Sequence, residues 1–303
     1  QFLKVVVYYY LKNQYPTQSF APLHLGQQQV SLPAMDEDSF LKVKSEAKGK
    51  VIPQTTVAYK IRGIKKRPQE LKVIHGTLST QQVIKVAKAH QVSVSSFICA
   101  ALIYAIYESN YRFNQDQSQI IVTVPFDLRR HFDSQTLRNF FFNVDVKIQP
   151  TADMTFEELL KQVDRQLKDG KQLDVIRRKI KDNVSAQKNM MIRFVPLLIK
   201  NMVMRHIYRE ADKGVTTTVS NLGRIEFADE VQPYVEQVRV LIPLTPHQPI
   251  RCGVISYQDQ LTVTFTSALE EVDVQRFFFR FLKKYGMEPT ISCNEEFNHE
   301  ILY

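Results

Sequence analysis

The chain has 303 residues, 44% of them hydrophobic and 11% aromatic. That is enough apolar material to bury one large or two medium cores, and it excludes a disordered or low-complexity protein. The formal charge of +9 admits acidic partners such as nucleic acid, an anionic membrane surface or a phosphorylated cosubstrate, but the basic runs at 60–68, 177–182 and 281–286 are scattered and form no nucleic-acid motif.

The opening stretch "QFLKVVVYYYLKNQ" spaces Phe2, Leu3, Val6, Val7 and Tyr10 on one broad face of a helix. Native termini are usually polar and frayed, so an apolar start without methionine is expected of a chain that continues an upstream piece. Residues 13–34, rich in Gln and Pro, read as a connector, followed by a charged surface segment over 36–51. The alternation of Thr55, Val57, Tyr59 and Ile61 predicts a strand over 55–63, and "KVIHGTLS" predicts another that runs into a helix capped by Ser79, with Gln82 three residues on. Two helices are expected, over 79–90 and 93–109. The second contains most of the uncharged run 91–107, which is just short of the roughly 18 residues of a membrane span and reads as a core helix.

Further on, the apolar run from Gln119 predicts a strand covered on both faces and stopped by Pro125. A second strand over 139–148 should bury Phe140, Phe142, Val144 and Val146. Thr155 with Glu158 caps a helix reaching Asp169, and helical pattern continues over 171–209 with a break near Pro196. Four strands are predicted in the last third, over 215–227, 235–244, 250–257 and 260–267, the last two joined as a hairpin at Gln258 and Asp259. A closing helix over 272–286 ends at a glycine with lysines in its last turn. The sum is an α/β sandwich with a mixed sheet and flanking helices.

Cys99, Cys252 and Cys293 lie far apart and match neither a metal-ligand spacing nor a disulfide framework, which points to a reducing, cytoplasmic setting without zinc or redox chemistry. The seven histidines occur singly, and the G-x-S-x-G nucleophile elbow is absent. Two stretches place polar groups at the ends of apolar strands. In "VPFDLRRHF", Asp127, Arg129, Arg130 and His131 form either a salt-bridged turn or a site. In "TTTVSNLGR", hydroxyls at alternate strand positions line one face and are suited to donate hydrogen bonds to a developing oxyanion; the alternative is a turn in which Ser220 and Asn221 bond their own backbone.

These two stretches, with "LSTQQVIKVAKAHQVSVSSFICAALIYAI" before them and "ISYQDQLTVTFTSALEEVDVQRFFFRFL" after, resemble the alcohol acetyltransferase branch of the superfamily that includes chloramphenicol acetyltransferase and the condensation domains of peptide synthetases. The resemblance implies that family's sandwich fold and its reaction, direct transfer of an acyl group, acetyl in the simplest case, from an acyl-CoA co-substrate to an alcohol hydroxyl, with no metal and no bound cofactor. The family's H-H-x-x-x-D-G signature normally lies just before a helix like the opening one. The sequence therefore resembles the C-terminal two thirds of such a protein: residues 1–53 would be the tail of an N-terminal lobe and a connector, and residues 54–303 the C-terminal lobe.

On this likeness the general-base histidine has no counterpart among the 303 residues, and the chain by itself should be inactive. Arg129 matches the arginine that pairs with the signature aspartate and should be an orphan without it. Thr218, Ser220 and Asn221 match the wall of the reaction tunnel, in contact with the oxyanion or thioester, and Asp127 and Asn143 read as structural. Charge alone, not a family motif, suggests Lys65, Lys66 and Arg67 for the phosphates of coenzyme A. A competing expectation is a non-catalytic member that binds acyl carriers or proteins; nucleic-acid binding rests on charge only.

Overall fold

A computed structural model describes residues 2–16, 18, 32–43, 57–114, 116–188 and 196–294. Its strands are β1 (Lys72–Ser79), β2 (Ile120–Asp127), β3 (Phe141–Ile148), β4 (Thr217–Ile225), β5 (Ile250–Tyr257), β6 (Gln260–Ser267) and β7 (Thr290–Cys293). The helices are α1 (Phe2–Gln14), α2 (Leu32–Met35), α3 (Thr80–Ala89), α4 (Val94–Ser109), α5 (Phe156–Gly170), α6 (Leu173–Lys188), α7 (Leu197–Lys213) and α8 (Asp273–Lys283). The strands form one seven-stranded sheet in the order β3-β2-β4-β5-β6-β1-β7. β4 runs parallel to both of its neighbours, and the remaining pairs are antiparallel.

Period-2 alternation gives this sheet two different faces. Val122, Val124, Val144, Val146, Val219, Cys252, Val254, Val263 and Phe265 point to one side, where α4, α5 and α8 lie over them in a single large core. α4 is the centre of that layer and, apart from its serine-rich first turn and its C-terminal end, is apolar all round, the composition of a helix without a solvent face. Ser93 caps α4, Ser79 caps α3, and Thr155 and Glu158 complete a reciprocal capping box on α5. α8 turns Val274, Phe278, Phe281 and Leu282 inward, and Gly76 of β1 is needed beneath it, since a Cβ there would lie 2.1 Å from the Phe279 ring. Among the described residues no single helix is long and apolar enough to cross a membrane; α3 and α4 pass such a test only as a pair bent by 84°.

Several sequence expectations change in three dimensions. Residues 57–63 form no ladder: Tyr59 and Ile61 are buried, but Val57 is exposed, and the Ala58 and Tyr59 N–H groups donate to the carbonyls of Lys213 and Gln119 at element ends. Thr55 lies outside the described residues, as do the predicted boundary at 53/54 and most of the connector. The segment 235–244 is not a strand either; it passes across the sheet rather than beside a strand, so its alternation marks one side resting on the sheet. Pro125 does not end β2, which continues to Asp127 and pairs Pro125 with Asn143. The proline is tolerated because β2 meets β4 only at Val122 and Thr123, leaving no partner on that side for the missing N–H. In α1 the buried positions are Tyr8 and Leu11, with Val7 half-buried, while Val6 and Tyr10 are exposed. The helix covers only a small cluster of Phe227, Val231 and Tyr257, and one narrow stripe suffices for that.

Candidate functional site

The second face of the sheet is polar. Thr218 and Ser220 of β4, Arg251 and Gly253 of β5, Thr262, Thr264 and Thr266 of β6, and His75 and Thr77 of β1 share it, opposite the helix layer. The register across the strands sets Ser220, Gly253, Thr264 and His75 in one row, spanning about 14 Å at the usual strand spacing. These hydroxyls are nevertheless largely buried. What covers them is residues 235–249, here called the strap, which crosses the row at Gly253: a Cβ on Gly253 would lie 2.8 Å from the Val240 carbonyl oxygen.

Both ends of the strap are fastened by polar contacts. Near its start, the Gln237 side-chain amide donates to the Thr77 hydroxyl at 2.8 Å. At its other end stands Asp212 from the last turn of α7, 5% exposed. One carboxylate oxygen accepts from the Thr245 hydroxyl at 2.6 Å and the Gln248 amide at 2.8 Å, and the other accepts from the His247 N–H at 3.0 Å. Gln248 Oε1 in turn accepts from the Thr218 hydroxyl at 2.8 Å and from Arg251 Nε at 3.0 Å, while Arg251 also donates to the Pro243 carbonyl at 2.8 Å. Lys60 donates to the carbonyls of Asp212 and Val215, and burial lowers its pKa to about 8, with the Asp212 charge opposing the shift. Burial also pulls the Arg251 guanidinium down from its usual value.

The structure separates Thr218, Ser220 and Asn221, the three residues expected at a tunnel wall. Thr218 and Ser220 face the polar side, but the Thr218 hydroxyl is committed to Gln248. The half-buried Ser220 hydroxyl has no partner among the described residues, which leaves it the better placed of the two to meet a ligand. Asn221 belongs to the opposite face: its amide donates to the Ser95 hydroxyl at the start of α4 at 3.0 Å, and its oxygen accepts from the Gly223 N–H at 2.9 Å, closing the local turn that Gly223 completes with φ +72°.

Arg129 is not an orphan. Its guanidinium donates to Asp127 at 2.9 Å and to the carbonyls of Thr136 and Arg138 at 2.9 and 2.8 Å, so it staples the loop after β2. Asn143 is exposed, at its β3 position opposite Pro125. Lys65 bridges Leu269 in the backbone and is exposed, Lys66 reaches Glu270 at 3.3 Å with its side chain largely buried, and Arg67 is exposed. The three lie beyond the end of β6, at the same end of the sheet as Arg251, since Thr266 pairs with Arg251.

Asp212, Gln248, Arg251, His75 and Thr264 were not singled out from the sequence. One signal was available: "LTVTFTS" puts threonine at every second position, which is the signature of a strand with a polar face. His75 bonds Thr264 at 2.9 Å, and burial, then the Arg239 charge, lowers its pKa to about 4. It is therefore a neutral ring near pH 7 and a weak base, three strands away from Ser220 with the strap between them. The unfolded chain, with a histidine pKa near 6.5, binds this proton more readily than the folded one. Stability should thus fall as pH drops from about 6.5 to about 4, by about 3 kcal/mol in total. Denaturation midpoints across that range should show the slope, and His75→Gln should flatten it; an unchanged slope would remove His75 as its cause.

No protein-family model matches the sequence, and no curated protein matches it. Solved structures do match the fold. TRI101 of Fusarium sporotrichioides, solved with coenzyme A and T-2, superposes with a TM-score of 0.55 at 13% identity over 95% of this chain and 64% of its own. FmoA3, a nonribosomal peptide synthetase, gives 0.50 at 15% identity over 76% of this chain and 23% of its own. The trichothecene 15-O-acetyltransferase TRI3 of the same Fusarium gives 0.49 at 14% over 74% and 48%. The chain shares its α/β fold, a mixed sheet with flanking helices, with these acetyltransferase and peptide-synthetase structures. It spans less than two thirds of the length of each of these relatives.

Proposed function

We propose that this chain forms the C-terminal lobe of an acyltransferase that moves an acyl group, acetyl in the simplest case, from a coenzyme A thioester to an alcohol. The observation that carries the reading is the similarity, along 95% of this chain, to TRI101, a protein solved as a complex with coenzyme A. In the proposed reaction a histidine contributed from outside these 303 residues takes the alcohol proton as the oxygen attacks the thioester carbonyl. The tetrahedral oxyanion then collapses to the ester and expels the coenzyme A thiolate, which recovers the proton. Thr218 and Ser220 line the sheet side of the reaction space, with Ser220 as the hydrogen-bond donor nearest to readiness, and Asn221 supports them from the far side of the strand. Arg129 holds the loop after β2 for an acidic partner, and Lys65 and Arg67, with Lys66 behind them, meet the phosphates of coenzyme A.

The 303-residue chain, given acetyl-CoA and a panel of alcohols, should transfer no acetyl above the uncatalysed rate, because a missing general base removes about 10²–10⁴-fold. A longer protein that restores the preceding region should turn over, with Ser220→Ala slowed by about tenfold or more. Turnover by the short chain would overturn the assignment of the base. Failure of the longer protein over a broad acceptor panel would favour a binding module for acyl carriers or proteins instead.

A further inference from the structure

One flank of α8 borders a cleft on the helix-layer side of the sheet, the side opposite Ser220 and the strap. Ile74 of β1, Phe279 of α8 and Pro289 and Ile291 at the edge strand β7 give it an apolar lining, and its volume is about 140 Å³. Gly76 pairs with Ile291 and lets the Phe279 ring settle onto β1, which makes that ring one wall of the cleft. An apolar cavity of about 150 Å³ holds one benzene ring, so a cleft of this size takes a ring or a short alkyl chain. Its polar lining lacks partners. Gln275 is 1% exposed and has no hydrogen-bond partner for either amide atom, and the buried Nε of Arg276 has none either. Buried polar groups are nearly always paired, so three such atoms on adjacent residues of one helical turn call for a partner.

Cations follow the same flank. Arg276 gives one terminal nitrogen to Asp273 at 3.0 Å; one turn on, the exposed Arg280 has no carboxylate partner among the described residues, and Lys283 has Glu288 at 3.9 Å. Gln275 also borders a second, more polar cleft beside Asn110 and Glu271, but Arg276, Arg280 and Lys283 line the first alone. Charge and shape together select the occupant. A neutral apolar molecule would leave the cations and the amide unanswered, and an inorganic anion would leave the apolar lining uncovered. A small carboxylic acid in its anionic form answers both, since its chain or ring covers Ile74, Phe279 and Ile291 while its two oxygens match the planar donor fork of an arginine. We infer that this cleft binds a small apolar carboxylate, with Arg276 and Arg280 on the carboxylate and Gln275 beside them. This inference does not depend on the acyl-transfer reading.

The δ1 methyl groups of Ile74 and Ile291 report on the cleft directly in methyl NMR of the 303-residue chain. Hexanoate should shift both resonances along a saturable curve. Hexanol, the same chain without the charge, should bind at least about tenfold less well, because hydrogen bonds to a charged group are the stronger ones. Arg276→Gln with Arg280→Gln should weaken hexanoate binding by about tenfold or more, and Ile291→Trp, which fills the cleft, should abolish it. Arg280 is exposed and Arg276 half-buried, so the denaturation midpoint of the arginine variant should stay close to that of the parent and separate lost binding from lost folding. Absence of a saturable shift at Ile74 and Ile291 would overturn the inference. So would equal binding of hexanol, or undiminished hexanoate binding by the arginine variant.

Discussion

Asp212→Ala should free the strap and lower the stability of the protein by about 3 kcal/mol. The substitution strands three donors at once: the Thr245 hydroxyl, the Gln248 amide and the His247 N–H. Gln248 is itself 4% exposed and positions Thr218 and Arg251, so its displacement spreads into β4 and β5. Asp212→Asn should fall between the two, because an amide keeps one acceptor oxygen but turns an N–H₂ group against a donor that the carboxylate had satisfied. Urea denaturation measures the stability change, and limited proteolysis reads the strap directly: cleavage within 235–249 should speed up in the alanine variant. An unshifted denaturation midpoint with an unchanged digestion pattern would mean that the strap is held by something other than Asp212.

Gly253→Val attacks the same strap from below. Its Cβ would lie 2.8 Å from the Val240 carbonyl oxygen, 2.9 Å from a Val240 methyl and 3.2 Å from Ile242, so a backbone segment must move rather than a flexible side-chain end. Overpacking of this kind costs about 1–3 kcal/mol. The diagnostic result lies in the double variant with Asp212→Ala. If both changes act by lifting one strap, the second should cost less than it does alone, and the shortfall should exceed about 0.5 kcal/mol. Full additivity would show two independent sites. Under the proposed function, each variant should also lower acyl transfer by the longer protein, since each displaces the cover over Thr218 and Ser220.

The elements that could be read from the sequence are those whose stability is local or whose pattern is strongly periodic. Ser79, Ser93, Thr155 and Glu158 announce helix starts because a cap satisfies N–H groups within three residues of itself. The hairpin of β5 and β6 was legible because its turn is two residues long, with Gln258 at φ +51°. The short β7 was missed, because four residues on the edge of a sheet carry almost no pattern. Segments 55–63 and 235–244 alternate as strands do, yet neither pairs. Alternation reports that one side of an extended chain is buried, and it is silent about whether the neighbour is a strand edge or the surface of a sheet.

The candidate site divides along the same line. Residue pattern alone places hydroxyls on one face of β4 and sets Arg129 after an apolar strand with an aspartate two residues before it. It takes the folded chain to tie Thr218 to Gln248 and through it to Asp212, to turn Asn221 toward Ser95, and to set His75 and Ser220 in one row. Those facts join residues about 30 to 190 positions apart in the chain. Residue type and periodicity fix which way a side chain points from its own strand. The order of the strands and the path of the strap fix what it meets there, and both come from burying the common core.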